Sequence, residues 1–460
     1  MLNAKNYYGL SSDYLKTQSS YLTLGHTHRL SQDSELKTTL RYGHYERDLL
    51  ASAVRFTNPT TLAAINDSTP LSRGLKARRG ESDVLQLQSD YNQNFEWLGH
   101  QHSLIAGADF SQDKALRNNS ATSGLPSTAT QSATLGTTVG TPNDGLSIVD
   151  TRSVAMNQFK AENLGVYAQD TVSITTEVKV LGGLRLDRFT ANYQDTANNQ
   201  FAMSENLWSP RVGAIWQPAP TATYYTSYGT SYNTSGDTYQ FALGSYAPGS
   251  ANAKAANTPP EKSRNLEVGS KFEIFEGKGL LGVALFHSEK YNERNTDADS
   301  AATQMLLSGK RHATGMEFNF AGRLTPAWEM FYNHTWIPEA TIDESNIAAT
   351  GTGAQGKGDR SALTPKHSAS LWSTYRFNAA WRVGGGLNYR GEQNPDGART
   401  KVAAAFTTVD AMAEYAINDA NLLKFNVSNL TNKLYADTLY RGFYGPGAPR
   451  RVELSWKSMF

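Results

Sequence analysis

Apolar and polar residues alternate with a period of two along most of this chain, in segments of roughly 10–14 residues. A strand puts successive side chains on opposite faces, so this period describes strands with one apolar and one polar face. Leu266, Val268, Phe272 and Ile274 alternate with Asn265, Glu267, Lys271 and Glu273. Leu423, Phe425 and Val427 alternate with Leu422, Lys424, Asn426 and Ser428, and Val452, Leu454, Trp456 and Phe460 are set against Arg451, Glu453, Ser455 and Lys457. The pattern predicts about seventeen strands, at 18–30, 35–47, 83–95, 102–113, 161–174, 178–194, 206–217, 222–233, 263–275, 279–293, 305–322, 326–339, 366–377, 380–392, 405–417, 421–434 and 449–460.

Short and long connections take turns between them. Ser31-Gln32-Asp33-Ser34, Pro218-Ala219-Pro220, Glu276-Gly277-Lys278 and Asn418-Asp419-Ala420 are turn formers. The long connections, at 48–82, 114–160, 195–205, 234–262, 294–304, 340–365, 393–404 and 435–448, are rich in Gly, Ser, Thr, Asn and Ala. Short turns on one rim and long loops on the other suit an antiparallel transmembrane β-barrel. A soluble sandwich would need two packed sheets, against which so many long hairpins with a polar face argue. Composition agrees: only 39% of residues are hydrophobic, yet 23 Tyr, 18 Phe and 8 Trp are present. A barrel needs lipid-facing residues only at alternate positions, with aromatic girdles at both interfaces.

Several classes are disfavoured. No stretch approaches the 18 or so consecutive apolar residues of a membrane helix, and the N-terminus has no apolar h-region of a signal peptide. A net charge of +1 leaves no electrostatic footprint for nucleic acid. With no Cys there are no disulfides, thiolate zinc sites or cysteine nucleophiles. His26/His28 and His100/His102 are close pairs without an obvious third ligand, read as ordinary strand and turn-end histidines. No Gly-x-Ser-x-Gly elbow occurs. Gly182-Gly183, Gly279–Gly282 and Gly384-Gly385-Gly386 read as bends or crowded points in strands rather than phosphate loops. No enzyme is indicated.

Four stretches resemble the TonB-dependent siderophore receptors, in that family's order: Trp208-Ser-Pro-Arg-Val-Gly213, Thr258-Pro-Pro-Glu-Lys-Ser-Arg-Asn-Leu-Glu-Val-Gly-Ser-Lys271, Asn429-Leu-Thr-Asn-Lys-Leu-Tyr435 and Pro446-Gly-Ala-Pro-Arg-Arg-Val452, closing on Phe460. The resemblance covers essentially all of residues 1–460 as one barrel domain. Through Ser308–Arg311 and Gly322–Glu329 it is nearest the catecholate (Fiu-like) receptors.

The resemblance implies a 22-stranded bacterial outer-membrane barrel around a plug, capturing a ferric siderophore in its loops and energised by the TonB–ExbB–ExbD system. Iron then arrives with the siderophore, without a cofactor or protein metal ligands. The implied surroundings are lipid bilayer and lipopolysaccharide, and the implied state is a monomer. About seventeen strands against 22 implies a fragment lacking signal peptide, plug and the first strands. A flat-ringed anion calls for Arg charge and aromatic faces. The ligand-contact candidates are therefore the basic group Arg73, Lys76, Arg78 and Arg79, then Tyr239, Phe241 and Tyr246, and in the last loop Tyr440, Arg441, Phe443 and Tyr444. A passive channel and a non-transporting surface-binding barrel, an adhesin or phage-docking protein, are the alternatives.

Overall fold

The computed structural model describes residues 5–57, 62–118, 135–152, 155–233, 260–296, 304–345, 356–394, 402–439 and 444–459. Its strands are β1 (Tyr14–Arg29), β2 (Ser34–Phe56), β3 (Pro70–Trp97), β4 (His100–Asn118), β5 (Thr137–Thr138), β6 (Met156–Ser173) and β7 (Val178–Gln194). They continue with β8 (Gln200–Ala219), β9 (Ala222–Asn233), β10 (Glu261–Ile274), β11 (Gly279–Thr296), β12 (Gln304–Thr325), β13 (Trp328–Glu344) and β14 (His367–Arg376). The last are β15 (Trp381–Arg390), β16 (Phe406–Asn418), β17 (Asn421–Ser428), β18 (Ala436–Leu439), β19 (Tyr444–Pro446) and β20 (Arg451–Ser458). No helix among the described residues is long and apolar enough to cross a membrane.

Setting aside the short β5, β18 and β19, the remaining seventeen strands form one antiparallel meander among the described residues, each paired with the next from β1 to β20. Register carries one apolar face across the whole sheet. Leu24 opposes Leu40, Leu40 opposes Leu87, Leu87 opposes Phe110 and Phe110 opposes Leu164. Val268, Leu285, Met316 and Trp336 continue the row, as do Leu371, Leu387 and Val409. On the last two strands Phe425 faces Leu454 and Val427 faces Val452. Apart from Val427, which is buried, these side chains are partly or largely exposed, Leu285 to 57% and Leu454 to 69%. An exposed apolar band of this length requires a nonaqueous neighbour.

Aromatic residues bound the band at both ends. Trp208 and Trp216 on β8, Trp328 and Trp336 on β13, and Trp381 and Tyr389 on β15 are each eight residues apart on this face. Eight residues span roughly 26 Å along a strand, or roughly 20 Å along a membrane normal at the usual barrel tilt. The lower members cluster at the short-turn rim, where Trp216 stacks with Tyr224 at 5.3 Å and Trp381 packs with Tyr415 at 4.7 Å. The spacing matches the two interfacial girdles of a membrane barrel.

The other face is polar and concave. Thr39, Gln88, Asp109, Gly165 and Asp187 occupy one register row on it, and Asn333, Ser370, Asn388 and Thr408 another. Thr23 of β1 and Gly229 of β9 line one cavity although many strands separate them. Only the inside of a curled sheet permits that.

The strands differ from expectation chiefly in β2 and β3. Residues 48–82 are not a loop: the two strands pair in unbroken register from Ser34↔Gln93 to Phe56↔Leu71, leaving 57–69 as the connection, with a short 3-10 turn at Leu62–Ala64. At the loop end, Leu71, Leu75 and Ala77 are buried on one side of β3, and Arg73 occupies an apolar slot between them, which hides the alternation. β17 stops at Ser428 instead of 434 because Asn429 takes a left-handed φ of 49° and turns the chain. β18 and β19 form a small hairpin within the expected loop 435–448.

Candidate functional site

The concave wall encloses a cavity of about 870 Å³ lined from β1, β2, β3, β4, β6, β7, β8 and β9. Its centre is an ion-paired arginine. Arg185 on β7 donates through Nη1 and Nη2 to both carboxylate oxygens of Asp109 on β4, at 2.5 and 3.0 Å. Through Nε and Nη2 it also meets Asp187, at 2.8 and 2.6 Å. Such two-pronged contacts match the planar guanidinium fork. The bridge passes over Gly165 of β6, where an added Cβ would collide with the guanidinium. Gly107 has the same role beneath the Tyr167 ring, whose hydroxyl donates to Asp90. Arg41 lies 4.5 Å above the Tyr21 ring, and Arg211 also reaches the cavity. Toward the long-loop end the same face becomes apolar, where Phe159, Phe189, Tyr193 and Leu207 form a buried cluster with Met203 and Tyr232 against it. The wall thus presents an ion-paired polar surface with an aromatic cluster beside it toward the long-loop end.

The expected contact residues divide. Arg73 is 1% exposed and its guanidinium is taken up internally, by the Tyr8 carbonyl at 2.5 Å, the Leu135 carbonyl at 3.4 Å and Asp144 at 2.7 Å. It clasps the 5–13 segment and the 135–148 loop onto β3 around Leu10, Leu75 and Leu135, and does not present its charge to a ligand. The basic group lies on a strand, not in a loop, so strand alternation divides it. Lys76 and Arg78 share the luminal side, whereas Arg79 projects from the other face opposite Asp48. Tyr444 is exposed on β19. Tyr239, Phe241, Tyr246, Tyr440, Arg441 and Phe443 lie outside the described residues.

A second clasp lies beside the first. Arg152 donates to Asp48 at 2.8 Å, to Asp150 at 2.5 Å and to the Tyr14 hydroxyl at 2.6 Å. Its hydrogen bonds hold the Asp150 carboxyl far below the usual carboxylate range. Burial pushes Asp144 upward, but the Arg73 guanidinium and the Leu146 amide outweigh it and hold Asp144 below its ordinary value.

The close histidine pairs behave as strand residues. His26 and His28 stack on exposed β1, and His102 donates from Nδ1 to the Asp170 carboxylate at 2.6 Å while stacking on Phe95. His44, Glu46 and Glu81, which sequence reading passed over, bring donor atoms within 4.8 Å of one another. Both His44 ring nitrogens are already engaged, with Asp83 at 2.9 Å and Glu46 at 3.1 Å, so the group is a hydrogen-bonded hub tying β2 to β3.

Comparison with known proteins places these features in context. The family described as TonB dependent receptor-like, beta-barrel matches residues 2–430. The chain is 26% identical to the probable TonB-dependent receptor BfrD of Bordetella pertussis, across 99% of this chain and 63% of that protein. It is 25% identical to the catecholate siderophore receptor Fiu of Escherichia coli, across 99% of this chain and 61% of that protein. The crystal structure of the ferric-catecholate import receptor Fiu from E. coli K12, closed form, superposes with a TM-score of 0.83 at 24% identity, covering 100% of this chain and 66% of that one. The chain therefore spans about three fifths of the length of the curated relatives it matches.

Proposed function

This chain belongs to the TonB-dependent receptor β-barrel family, and from that premise we propose that it forms the outer-membrane wall of a transporter for ferric siderophores of the catecholate class. The observation that carries the reading is the division of one sheet into two solvents. An apolar face lies between aromatic rows eight residues apart, and an ion-paired concave face surrounds a cavity of about 870 Å³. The first face suits hydrocarbon and the second a hydrated path. Relatives named as siderophore and catecholate receptors supply the cargo class.

In this reading the long-loop rim receives the ferric siderophore, with Lys76 and Arg78 as the members of the basic group on the luminal side. A plug within a 22-stranded barrel closes the passage, and TonB–ExbB–ExbD supplies the energy to open it. Iron is cargo held by the siderophore's own oxygens. Lipopolysaccharide and lipid surround a monomer.

The test is iron-limited growth of a bacterium lacking its own catecholate receptors and expressing the gene that encodes this chain. Growth restored by a ferric catecholate supports the reading. No restoration, together with rapid swelling of protein-containing liposomes in neutral sugars, replaces it with a passive channel.

A further inference from the structure

Two sequence motifs that the transport reading leaves unused meet at one ring. Asn429 is 4% exposed. Its side-chain amide donates to the carbonyls of Lys433 at 2.9 Å and Ala448 at 3.0 Å, and its Oδ1 accepts the Lys433 amide at 2.8 Å. That knot fixes the turn leaving β17 and delivers Tyr435. From the other motif, Gly447 donates its amide to the Tyr435 carbonyl at 2.9 Å and lies where any Cβ would run into the Tyr435 ring. The two segments therefore form a seat for one aromatic side chain.

Tyr435 is seated against Phe406, with ring centroids 4.3 Å apart. Phe406 begins β16 directly opposite Arg390 at the end of β15, and the Arg390 guanidinium lies 5.6 Å above the Phe406 ring. All three line a cavity of about 550 Å³ on the luminal face at the long-loop rim, with Asn333, Asn388 and Thr408 on its floor. A guanidinium carries five N–H donors, and among the described residues Arg390 donates one hydrogen bond, from Nη1 to the Asp437 carbonyl at 3.3 Å. The Asp410 carboxylate, also in this wall, accepts the Asn429 amide at 2.7 Å and Asn388 Nδ2 at 3.0 Å, and is thereby turned to holding the floor together.

We infer that Arg390, Phe406 and Tyr435 form a shelf that binds one planar aromatic ring bearing anionic oxygens, the aryl arm of the ferric ligand. This rests on the siderophore reading and assigns it a subsite. The exposed edges of the two rings pack against the ligand ring, and the guanidinium, held above Phe406, donates its remaining N–H groups to the ring oxygens. Asn388 and Thr408 supply hydrogen bonds to a linking amide.

The experiment is fluorescence titration of the purified full-length protein with the ferric complex of 2,3-dihydroxybenzoate. Arg390→Gln and Phe406→Leu are each expected to weaken binding about tenfold, the scale of a desolvated cation–π or stacking contact. Ser370→Glu, which adds a negative charge to the same wall without touching the shelf, is expected to weaken it as well, and heat-modifiable gel mobility checks that each variant is folded. Wild-type affinity in folded Arg390→Gln and Phe406→Leu overturns the shelf and leaves the receptor standing. Absence of binding by the unaltered protein overturns the siderophore reading and the shelf together.

Discussion

Arg185 grips Asp109 from two strands away, its two terminal nitrogens 2.5 and 3.0 Å from the carboxylate oxygens, and the intervening strand lets it pass only because position 165 is glycine. The pair welds β4, β6 and β7 on the luminal side, below the apolar cluster of Ala115, Phe159 and Phe189 that joins the same strands nearer the long-loop end.

Gly165→Ala is therefore expected to act through Arg185. Each of Gly165→Ala and Arg185→Ala should cost about 1–3 kcal/mol, the range for losing a partly buried charged hydrogen bond. The double variant should cost little more than either, because both remove the same bridge. Refolding midpoints in urea measure this; fully additive losses would separate the glycine from the arginine.

The two faces should tolerate charge differently. Leu285→Arg, on the exposed apolar row, is expected to cost about 2–4 kcal/mol near the bilayer midplane. Ser227→Arg, on the luminal face opposite Glu267, should stay within roughly 1 kcal/mol. Equal penalties in a lipid refolding assay would mean that the faces are wrongly assigned.

Arg73→Leu should loosen the outer clasp without weakening ligand capture. The pair with Asp144 is buried on the arginine side and partly open on the other, so a local loss of about 2–4 kcal/mol is expected, below the full range for a buried pair. Limited proteolysis within 135–148 reads the loosening. A fall in siderophore affinity with the clasp intact would restore Arg73 as a contact residue.

Acid should open the same clasp. Asp144 and Asp150 both titrate below the ordinary carboxyl value when folded. The released segment then binds more protons, and the stability they contribute is full above about pH 4 and falls as pH drops below it. The Leu146 and Arg152 amides, which donate to Asp144 and Asp150 at 3.1 Å each, should lose hydrogen-exchange protection in that window. Protection unchanged down to about pH 2 would contradict the linkage.

Arg78 and Arg79 provide a test by adjacency. Arg78→Ala should weaken capture of an anionic ligand, with raised salt reproducing part of the loss, whereas Arg79→Ala, on the other face, should not. Equal affinities in both variants would return Arg78 to the solvated charges of the rim.

Period two was enough to read the membrane part of the fold. Leu423, Phe425 and Val427 do oppose Trp456, Leu454 and Val452, because hydrocarbon enforces an unbroken apolar row. Above the membrane that pressure ends. Arg73 can fill an apolar slot once the Tyr8 carbonyl and Asp144 surround it, so the upper parts of β2 and β3 lack the alternation that marks a strand in the sequence. The luminal constellation was illegible for another reason. Asp109, Gly165 and Arg185 become neighbours only through strand register, and Phe406 meets Tyr435 only through the turn that Asn429 builds. Nothing local in the sequence marks either meeting.

The most direct measurement of the transport claim is uptake of radiolabelled iron, presented as a ferric catecholate, by otherwise receptor-deficient cells expressing the gene for this chain, with and without a functional TonB. Saturable uptake that requires TonB and is competed by excess unlabelled ferric catecholate is expected. Uptake that is unsaturable and indifferent to TonB, or no uptake while the protein is folded in the outer membrane, would contradict it.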